Sequence, residues 1–352
     1  MTQPDTTGAG RIDGDKPVHA PSAAIPAAIP PDANAAPPST QARAPRAGST
    51  PTKYSAPFES KTPTAAGSAA APDPTASKRR FVIGSKQLRN VAATLSDRDR
   101  EVLLQISLHR YLRTHHVTAL VFTDHASLDS AERITRRVLA RLDRLGLIEA
   151  IEQRVGGIHG GASARIWRLR PAGARIITDG TSRVHTPPTT ERFVDHCLAV
   201  ADAHVDVRVL AAEEGTDDTI VRLEPDCWRR YLGSAGERCW LRPDLDAIIT
   251  SHDAEGVLED RWVIEVDMGN ESLTTLHKKC AQYEAYRATG TEQAATDGVF
   301  PLVLWIMHGN HAERRATQLR ERIERSPKLT TKLFRVVTDE HVLDVLRSGG
   351  QS

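Results

Sequence analysis

Three acidic positions in the second half of this chain have a spacing that suits chemistry. Asp244 follows Arg242 and Pro243 and opens the apolar run 245–249, while Glu265 and Asp267 close the run Val263-Ile264-Glu265-Val266-Asp267. A separation of two places Glu265 and Asp267 on one face of a strand, and an antiparallel neighbour beginning at Asp244 would bring a third carboxylate to them. Such carboxylates repel one another unless something positive sits between them. A hard divalent cation, Mg²⁺ or Mn²⁺, suits oxygen ligands and would polarise a phosphodiester and activate its nucleophile. Downstream, Lys279, Gln282, Tyr283 and Tyr286 recur at spacings that share one side of a helix. In that reading Asp244, Glu265 and Asp267 hold the metal, Lys279 neutralises transition-state charge, and Gln282 and Tyr286 touch DNA. Tyr283 or Tyr286 could also attack DNA covalently, although either is equally placed for packing. His196, beside Phe193, Leu198 and Val200, reads as a satisfied core histidine or as an active-site group, and Glu224 as a further ligand or a surface carboxylate.

A second constellation is basic. Arg133, Arg136, Arg137, Arg141 and Arg144 stud a segment whose apolar stripe is Ile134, Val138, Leu142 and Leu145. An α-helix fits the DNA major groove, where arginine makes bidentate bonds to guanine and ion pairs with phosphate. Arg133, Arg136 and Arg137 lie in the first half of the helix and suit the groove; Arg141 and Arg144 suit phosphate or surface. The alternative is a solvated helix whose arginines pair with Asp129, Glu132 and Asp143. The glycine-rich stretch 154–165, with Arg154, His159 and Arg165, is too flexible for regular structure and would follow the DNA backbone or an adjacent minor groove.

These groups need elements to position them. Folded structure is expected to begin near Leu95, with Ser96 as a helix cap followed by Asp97 and Asp99. Val102, Leu103, Ile106 and Tyr111 mark a first helix, Val117 to Phe122 a second, and residues 130–145 a third. Strand-like runs at 147–151 and 165–169 flank the glycine-rich loop, which makes three helices and a β-hairpin with a basic tip: a winged helix. Pro171-Ala-Gly-Ala-Arg175 would open a closing helix. After a Thr/Pro-rich break at 186–190 the pattern becomes α/β: a helix at 191–210, strands at 219–224, 239–250 and 262–267, a hairpin connection at 258–260, a helix at 272–287, and a strand at 300–307. Helices at 312–325 and 340–346 flank a strand at 332–337.

Charge divides the same way. The chain is nearly neutral as a whole, with 46 Lys+Arg against 45 Asp+Glu. Residues 81–180 nevertheless carry a net +6 and residues 181–352 a net −8, so the first part suits a polyanion and the second metal ions or internal ion pairs. Residues 1–80 hold 14 of the 21 prolines and no leucine, too little branched apolar surface to offset ordering entropy. This tail ends in Lys78, Arg79 and Arg80, either a solvated linker end or a DNA-touching arm. No apolar stretch is long enough for a membrane span and no signal pattern opens the chain, so a cytoplasmic protein is expected. Cys197, Cys227, Cys239 and Cys280 lack CxxC spacing and read as reduced, mostly buried thiols rather than a zinc site. Trp228, Trp240, Trp262 and Trp305 read as core or interface fill.

The acidic part resembles the PD-(D/E)xK nuclease superfamily: Pro243-Asp244 matches its PD, Glu265-Val266-Asp267 stands at its (D/E)xK, and Gln282-x-x-x-Tyr286 is similar to a QxxxY helix motif of one branch. The motif lysine is replaced by Asp267, so the resemblance implies that Lys279, or else Lys278, supplies the charge from the helix. The two parts together resemble the replication-relaxation family of plasmids and integrative elements. The stretches that carry this are 95–103, 142–148, 169–175, 196–200, Arg242-Pro243-Asp244 and Glu265-Val-Asp-Met-Gly-Asn-Glu-Ser-Leu273, with Lys279 and Tyr283. The resemblance implies a winged-helix domain at 90–180 behind the tail 1–80, and a restriction-endonuclease-like αβββαβ domain at 190–347. It implies a DNA-binding replication or mobilisation protein: a metal-dependent nickase targeted to double-stranded DNA at an origin, or a non-catalytic replication or transcription regulator with a degenerate nuclease fold. A third reading is an adaptor that docks a replication or transfer protein on its acidic domain.

Overall fold

The computed structural model describes residues 84–125, 127–151, 165–178, 187–216, 218–253 and 256–349, all within one compact unit, 75–352. A helix lies ahead of the first one the sequence suggests. Helix α1 (Ser85–Ala93) precedes the expected start because Leu88 is buried in the first core, with Val91 and Ala92 beside it. Helix α2 (Asp97–His109) starts at the expected cap: the Ser96 amide donates to Asp99 Oδ2 at 2.9 Å and the Asp99 amide to Ser96 Oγ at 3.2 Å. The chain then forms β1 (Leu112–Arg113), α3 (Thr114–Val121), α4 (Leu128–Arg144), β2 (Ile148–Ile151), β3 (Ile166–Leu169) and α5 (Pro171–Ile177).

Helix α4 turns Ala131, Thr135, Leu139 and Leu142 into a core shared with Val102, Leu103 and Ile106 of α2 and Val117 of α3, which leaves its arginines on the outer faces. Strands β2 and β3 are antiparallel, and β1 adds to β3, so the expected hairpin is part of a three-stranded sheet ordered β1-β3-β2. Its tip, with Arg154 and His159, lies outside the described residues, as do Lys78, Arg79 and Arg80.

The second half carries α6 (Glu191–Glu213), β4 (Ile220–Leu223), β5 (Arg229–Leu232), β6 (Arg238–Leu241), β7 (Leu245–Asp253), β8 (Gly256–Asp267), α7 (Leu273–Ala288), α8 (Thr291–Ala295), β9 (Leu302–Met307), α9 (Ala312–Glu324), β10 (Phe334–Thr338) and α10 (Val342–Ser348). Five strands form one sheet ordered β10-β9-β8-β7-β4; β7 runs antiparallel to both neighbours, and β8, β9 and β10 are parallel. Side chains alternate across β8. Val263 packs in a core with Leu276, Cys280 and Tyr283 of α7 and Ala316 and Leu319 of α9, whereas Trp262, Ile264 and Val266 face α6 and α10. The molecule is therefore a mixed α/β protein with helices on both faces of a mixed sheet.

Two expectations need correction. The run 239–250 is not one strand: it breaks at Arg242-Pro243-Asp244, where proline has no amide to donate, and β6 pairs with β5 in a separate hairpin. Residues 258–260, expected as a hairpin connection, lie inside β8, where Leu258 faces Ser251 and Asp260 faces Ile249. Glu259 is exposed there, near the far end of a long ribbon, which sequence alternation alone does not separate from a turn.

Helix α6 is shared between the halves. Ala201 reaches the first core; Val194, Cys197 and Leu198 pack with Tyr111 and Ile166; Ala203, Val207 and Leu210 pack beneath the five-stranded sheet. All four cysteines are free, and among the described residues no helix is long and apolar enough to cross a membrane.

Helix α5 meets the rest of its half through a close approach at Gly173. A Cβ there would lie 2.2 Å from the Leu147 carbonyl oxygen, itself bonded by the Arg170 amide at 2.9 Å. Alanine is ordinarily the better helix former by ~1 kcal/mol. Here overpacking opposes it, and Gly173→Ala is expected to lower unfolding free energy by about 1–3 kcal/mol in urea titration; an unchanged or raised midpoint would refute the contact.

Candidate functional site

Glu265 sits in the middle strand of five, 1% exposed, on the face covered by α7. Ser272 caps that helix by accepting from the Thr275 amide at 3.1 Å, which sets its phase. Lys279 and Tyr283, one turn apart, then both reach the carboxylate: Lys279 Nζ lies 2.6 Å from Oε2, and the Tyr283 hydroxyl donates to Oε1 at 2.5 Å. Lys279 Nζ also lies 5.8 Å from the Trp305 ring centroid on β9. The helix thus brings a positive charge to the strand glutamate from 14 residues away.

Burial pushes Glu265 up to about 7, and the negative charge of Asp244 adds to this, while Lys279 and Tyr283 hold it back. Burial pulls Lys279 down, but the charges of Glu265 and Asp244 outweigh it and leave the ammonium favoured. Tyr283 is raised well above the usual phenol range by burial and by Glu265, so it is a hydrogen-bond donor and not a ready nucleophile.

Asp244 comes alongside through the strand break. Its amide donates to the Ile264 carbonyl at 3.2 Å, and its Oδ2 accepts from the Val266 amide at 2.7 Å, so it brackets Glu265 from the neighbouring strand. Its Oδ1 lies 3.1 Å from His196 Nε2 on α6. Burial lowers His196, but Asp244 and Glu224 more than compensate and raise it overall. Asp244, His196 and Glu224 line one small cavity, closed on the other side by Arg110, whose guanidinium bonds Glu224 at 3.1 Å. Arg110 ends α2 with φ +68°, a conformation that favours glycine, so the contact with Glu224 accompanies a strained backbone. Neither Arg110 nor the Asp244–His196 pair was legible as a contact, since each joins residues dozens of positions apart.

Asp267, expected as a third ligand, is engaged elsewhere. Arg315 of α9 bonds its Oδ2 with Nε at 2.7 Å and Nη2 at 2.6 Å, and the Gly269 amide donates to Oδ1 at 3.1 Å. It does not fit a metal role in this arrangement. Asp244 and Glu265 offer oxygens of the kind a hard cation takes, and their four oxygens have protein partners too: His196, the Val266 amide, Tyr283 and Lys279. Among the described residues the one His/Cys/Asp/Glu set with ligand atoms within 4.8 Å of one another is His115, His116 and Asp202. There His116 Nδ1 accepts the Arg113 amide at 3.2 Å, which leaves the proton on Nε2, 2.6 Å from Asp202. That tautomer makes a clamp between α3 and α6, not a ligand.

The other predicted residues divide. Gln282 is exposed on α7; Tyr286, expected to touch DNA, is 4% exposed with its hydroxyl on Glu292 at 2.5 Å. It sits one turn beyond Tyr283 in the same core, and helical spacing does not show how deep that core runs. Arg133, Arg136 and Arg137 are exposed on α4, Arg136 within 2.8 Å of Glu132, and Arg165 is exposed at the start of β3. Arg141 is not free for phosphate: it closes on the buried carboxylate of Asp99, tying α4 to the cap of α2.

A carboxyl raised in the folded state binds a proton that the unfolded chain has released, so its contribution to stability declines as pH rises from about 4.5 to about 7 and is level above. Glu265→Gln removes this titration. Wild type should therefore lose stability relative to Glu265→Gln between pH 5 and 7 in urea titrations; parallel pH profiles would contradict the buried carboxyl.

The replication-relaxation family model matches residues 103–303, more than half of the chain and both halves of the described structure. No curated protein and no solved structure matches it. The matched segment contains the exposed arginines of α4, the Asp244–His196 pair and the Glu265–Lys279–Tyr283 cluster. The chain belongs to the replication-relaxation family.

Proposed function

We propose that this protein binds double-stranded DNA at a plasmid or integrative-element origin and nicks it with a metal-assisted nuclease site. The observation that carries the reading is the ion pair between Lys279 and buried Glu265, bracketed by Asp244: two carboxylates and a lysine converge where the sequence departs from the usual nuclease motif. Family membership supports a replication or mobilisation role. The order helix, three antiparallel strands, helix, parallel strand (α6, β4, β7, β8, α7, β9) supports a restriction-endonuclease-like core at 190–347. The α2–α3–α4 helices followed by β2 and β3 support a winged helix at 90–180, with α4 as its reading helix and Arg133, Arg136 and Arg137 facing outward.

In this mechanism Asp244 and Glu265 would hold Mg²⁺ or Mn²⁺, which supplies Lewis-acid polarisation of the phosphodiester and an activated water. Lys279 sets its charge against the developing negative charge on phosphorus. Tyr283 fixes the Glu265 carboxylate by its hydrogen bond. His196, kept basic by Asp244, holds or releases a proton at Nε2. Arg315 keeps Asp267 from competing for the cation.

A second reading rests on one observation: every carboxylate of the expected trio already has a protein donor, so the core could be a scaffold for a DNA-binding regulator. Supercoiled origin plasmid incubated with Mg²⁺ or Mn²⁺ separates the two. Nicking by wild type, reduced about 100-fold or more in Glu265→Ala and Lys279→Ala, is expected for the nuclease. Undiminished origin binding in EDTA with no nicking under either metal would establish the regulator. Replacing Arg133, Arg136 and Arg137 together by alanine should weaken duplex binding and flatten its dependence on salt by about one slope unit per lost phosphate contact; an unchanged slope would remove α4 from the interface.

A further inference from the structure

The β5–β6 hairpin lies outside the five-stranded sheet and has two unlike faces. Its register pairs Arg230 with Trp240 and Leu232 with Arg238. By strand alternation Arg229, Tyr231, Cys239 and Leu241 point one way, and Tyr231 and Leu241 are buried in the core under α7. Arg230, Leu232, Arg238 and Trp240 point the other way and are all exposed, Trp240 at 41% and Leu232 at 63%. Trp228 and Arg242 continue this face, side by side at the open end of the hairpin.

Its chemistry is uniform. The guanidinium of Arg242 stands 4.7 Å from the Trp228 ring centroid and 5.4 Å from that of Trp240, and Arg230 stands 4.9 Å from Trp240. Trp228 and Trp240 meet edge to face at 6.1 Å. Neither Arg230 nor Arg242 forms an ion pair with a described acidic residue, in a half of the chain with a net charge of −8. Each guanidinium sits over an indole without a described carboxylate partner, so its N–H groups can still meet an anion. The face therefore offers aromatic planes for flat apolar groups and unneutralised cations for phosphates, and it carries no carboxylate.

We propose that this face binds single-stranded DNA, with bases stacking on Trp240 and Trp228 and phosphates meeting Arg230, Arg238 and Arg242. Duplex bases are already stacked and cannot lie flat on an indole, whereas unpaired bases can. Arg242 is two residues from Asp244, so a strand on the hairpin runs directly past the candidate metal site. The inference rests on the proposed reading of the protein as one that works on DNA, and it adds the substrate state: the strand is presented unpaired.

The test uses the full chain in EDTA, with fluorescence anisotropy on a labelled oligothymidine of about 20 nucleotides, on a duplex of the same length, and on the matching oligouridine. Trp240→Ala should weaken oligothymidine binding by roughly 5-fold to 100-fold and leave duplex binding unchanged, because the α4 arginines are untouched. Trp240→Phe should retain most of the affinity, and wild-type tryptophan emission should be quenched on titration with oligothymidine. A thermal melt checks that Trp240→Ala is folded; if it is not, the paired Arg230→Gln and Arg242→Gln chain and the wild-type quenching decide. Duplex binding without oligothymidine binding, equal loss of both on substitution, or tighter binding of oligouridine would each overturn the proposal. Loss of all nucleic-acid binding in wild type would instead overturn the DNA reading itself.

Discussion

A carboxylate in the middle strand of a five-stranded sheet is the constraint around which the second half of the molecule is arranged. Removing an ion from water costs several kcal/mol even after relaxation, and only close countercharge with hydrogen bonds offsets it. For Glu265 that compensation comes from α7, so Lys279 and Tyr283 fix the height and rotation of the helix over the sheet. Leu276 and Cys280, on the same inward face, are then committed to the core with Val263 and Trp305. Apolar residues in place of the whole Glu265–Lys279 pair would hold the helix as well or better, so under the proposed function the retained charges serve chemistry more than stability.

The same economy recurs at smaller scale. Asp99 joins α2 to α4 through Arg141, Asp267 joins β8 to α9 through Arg315, and Asp246, 2% exposed, lies between Arg222 on β4 and Arg229 on β5. Buried carboxylates thus fasten elements together in both halves, each held by arginine. The hairpin face with Arg230 and Arg242 stands out against this background, since there the cations face rings and not carboxylates.

Elements were legible because their signals are local. The Ser96 cap, the apolar stripe of α4, the run of β9 and the helix at 273–288 can each be read from neighbours in the chain. That Lys279, or else Lys278, would bring its charge to the strand carboxylates was what the nuclease resemblance implied; the contact of Lys279 with Glu265 came from the fold. What escaped was set at long range. Arg315 lies 48 residues from the carboxylate it occupies, and Arg141 lies 42 from its own, so neither could be told from an ordinary surface arginine. The split of 239–250 depended on a hairpin partner at 229–232 that has no strong apolar alternation, and α1 on one buried leucine in a polar segment.

Helix α6 gives the molecule its proportions. At 23 residues it is roughly 35 Å long, close to one turn of B-form DNA. Its first turns carry His196 toward Asp244, its middle grips α3 through Asp202, and its later turns support the sheet. A single rod gripped from both sides leaves the two halves little room to slide. Under the proposed function, the helix that reads and the site that cuts would keep one spacing, because both are fastened to the same stretch of α6.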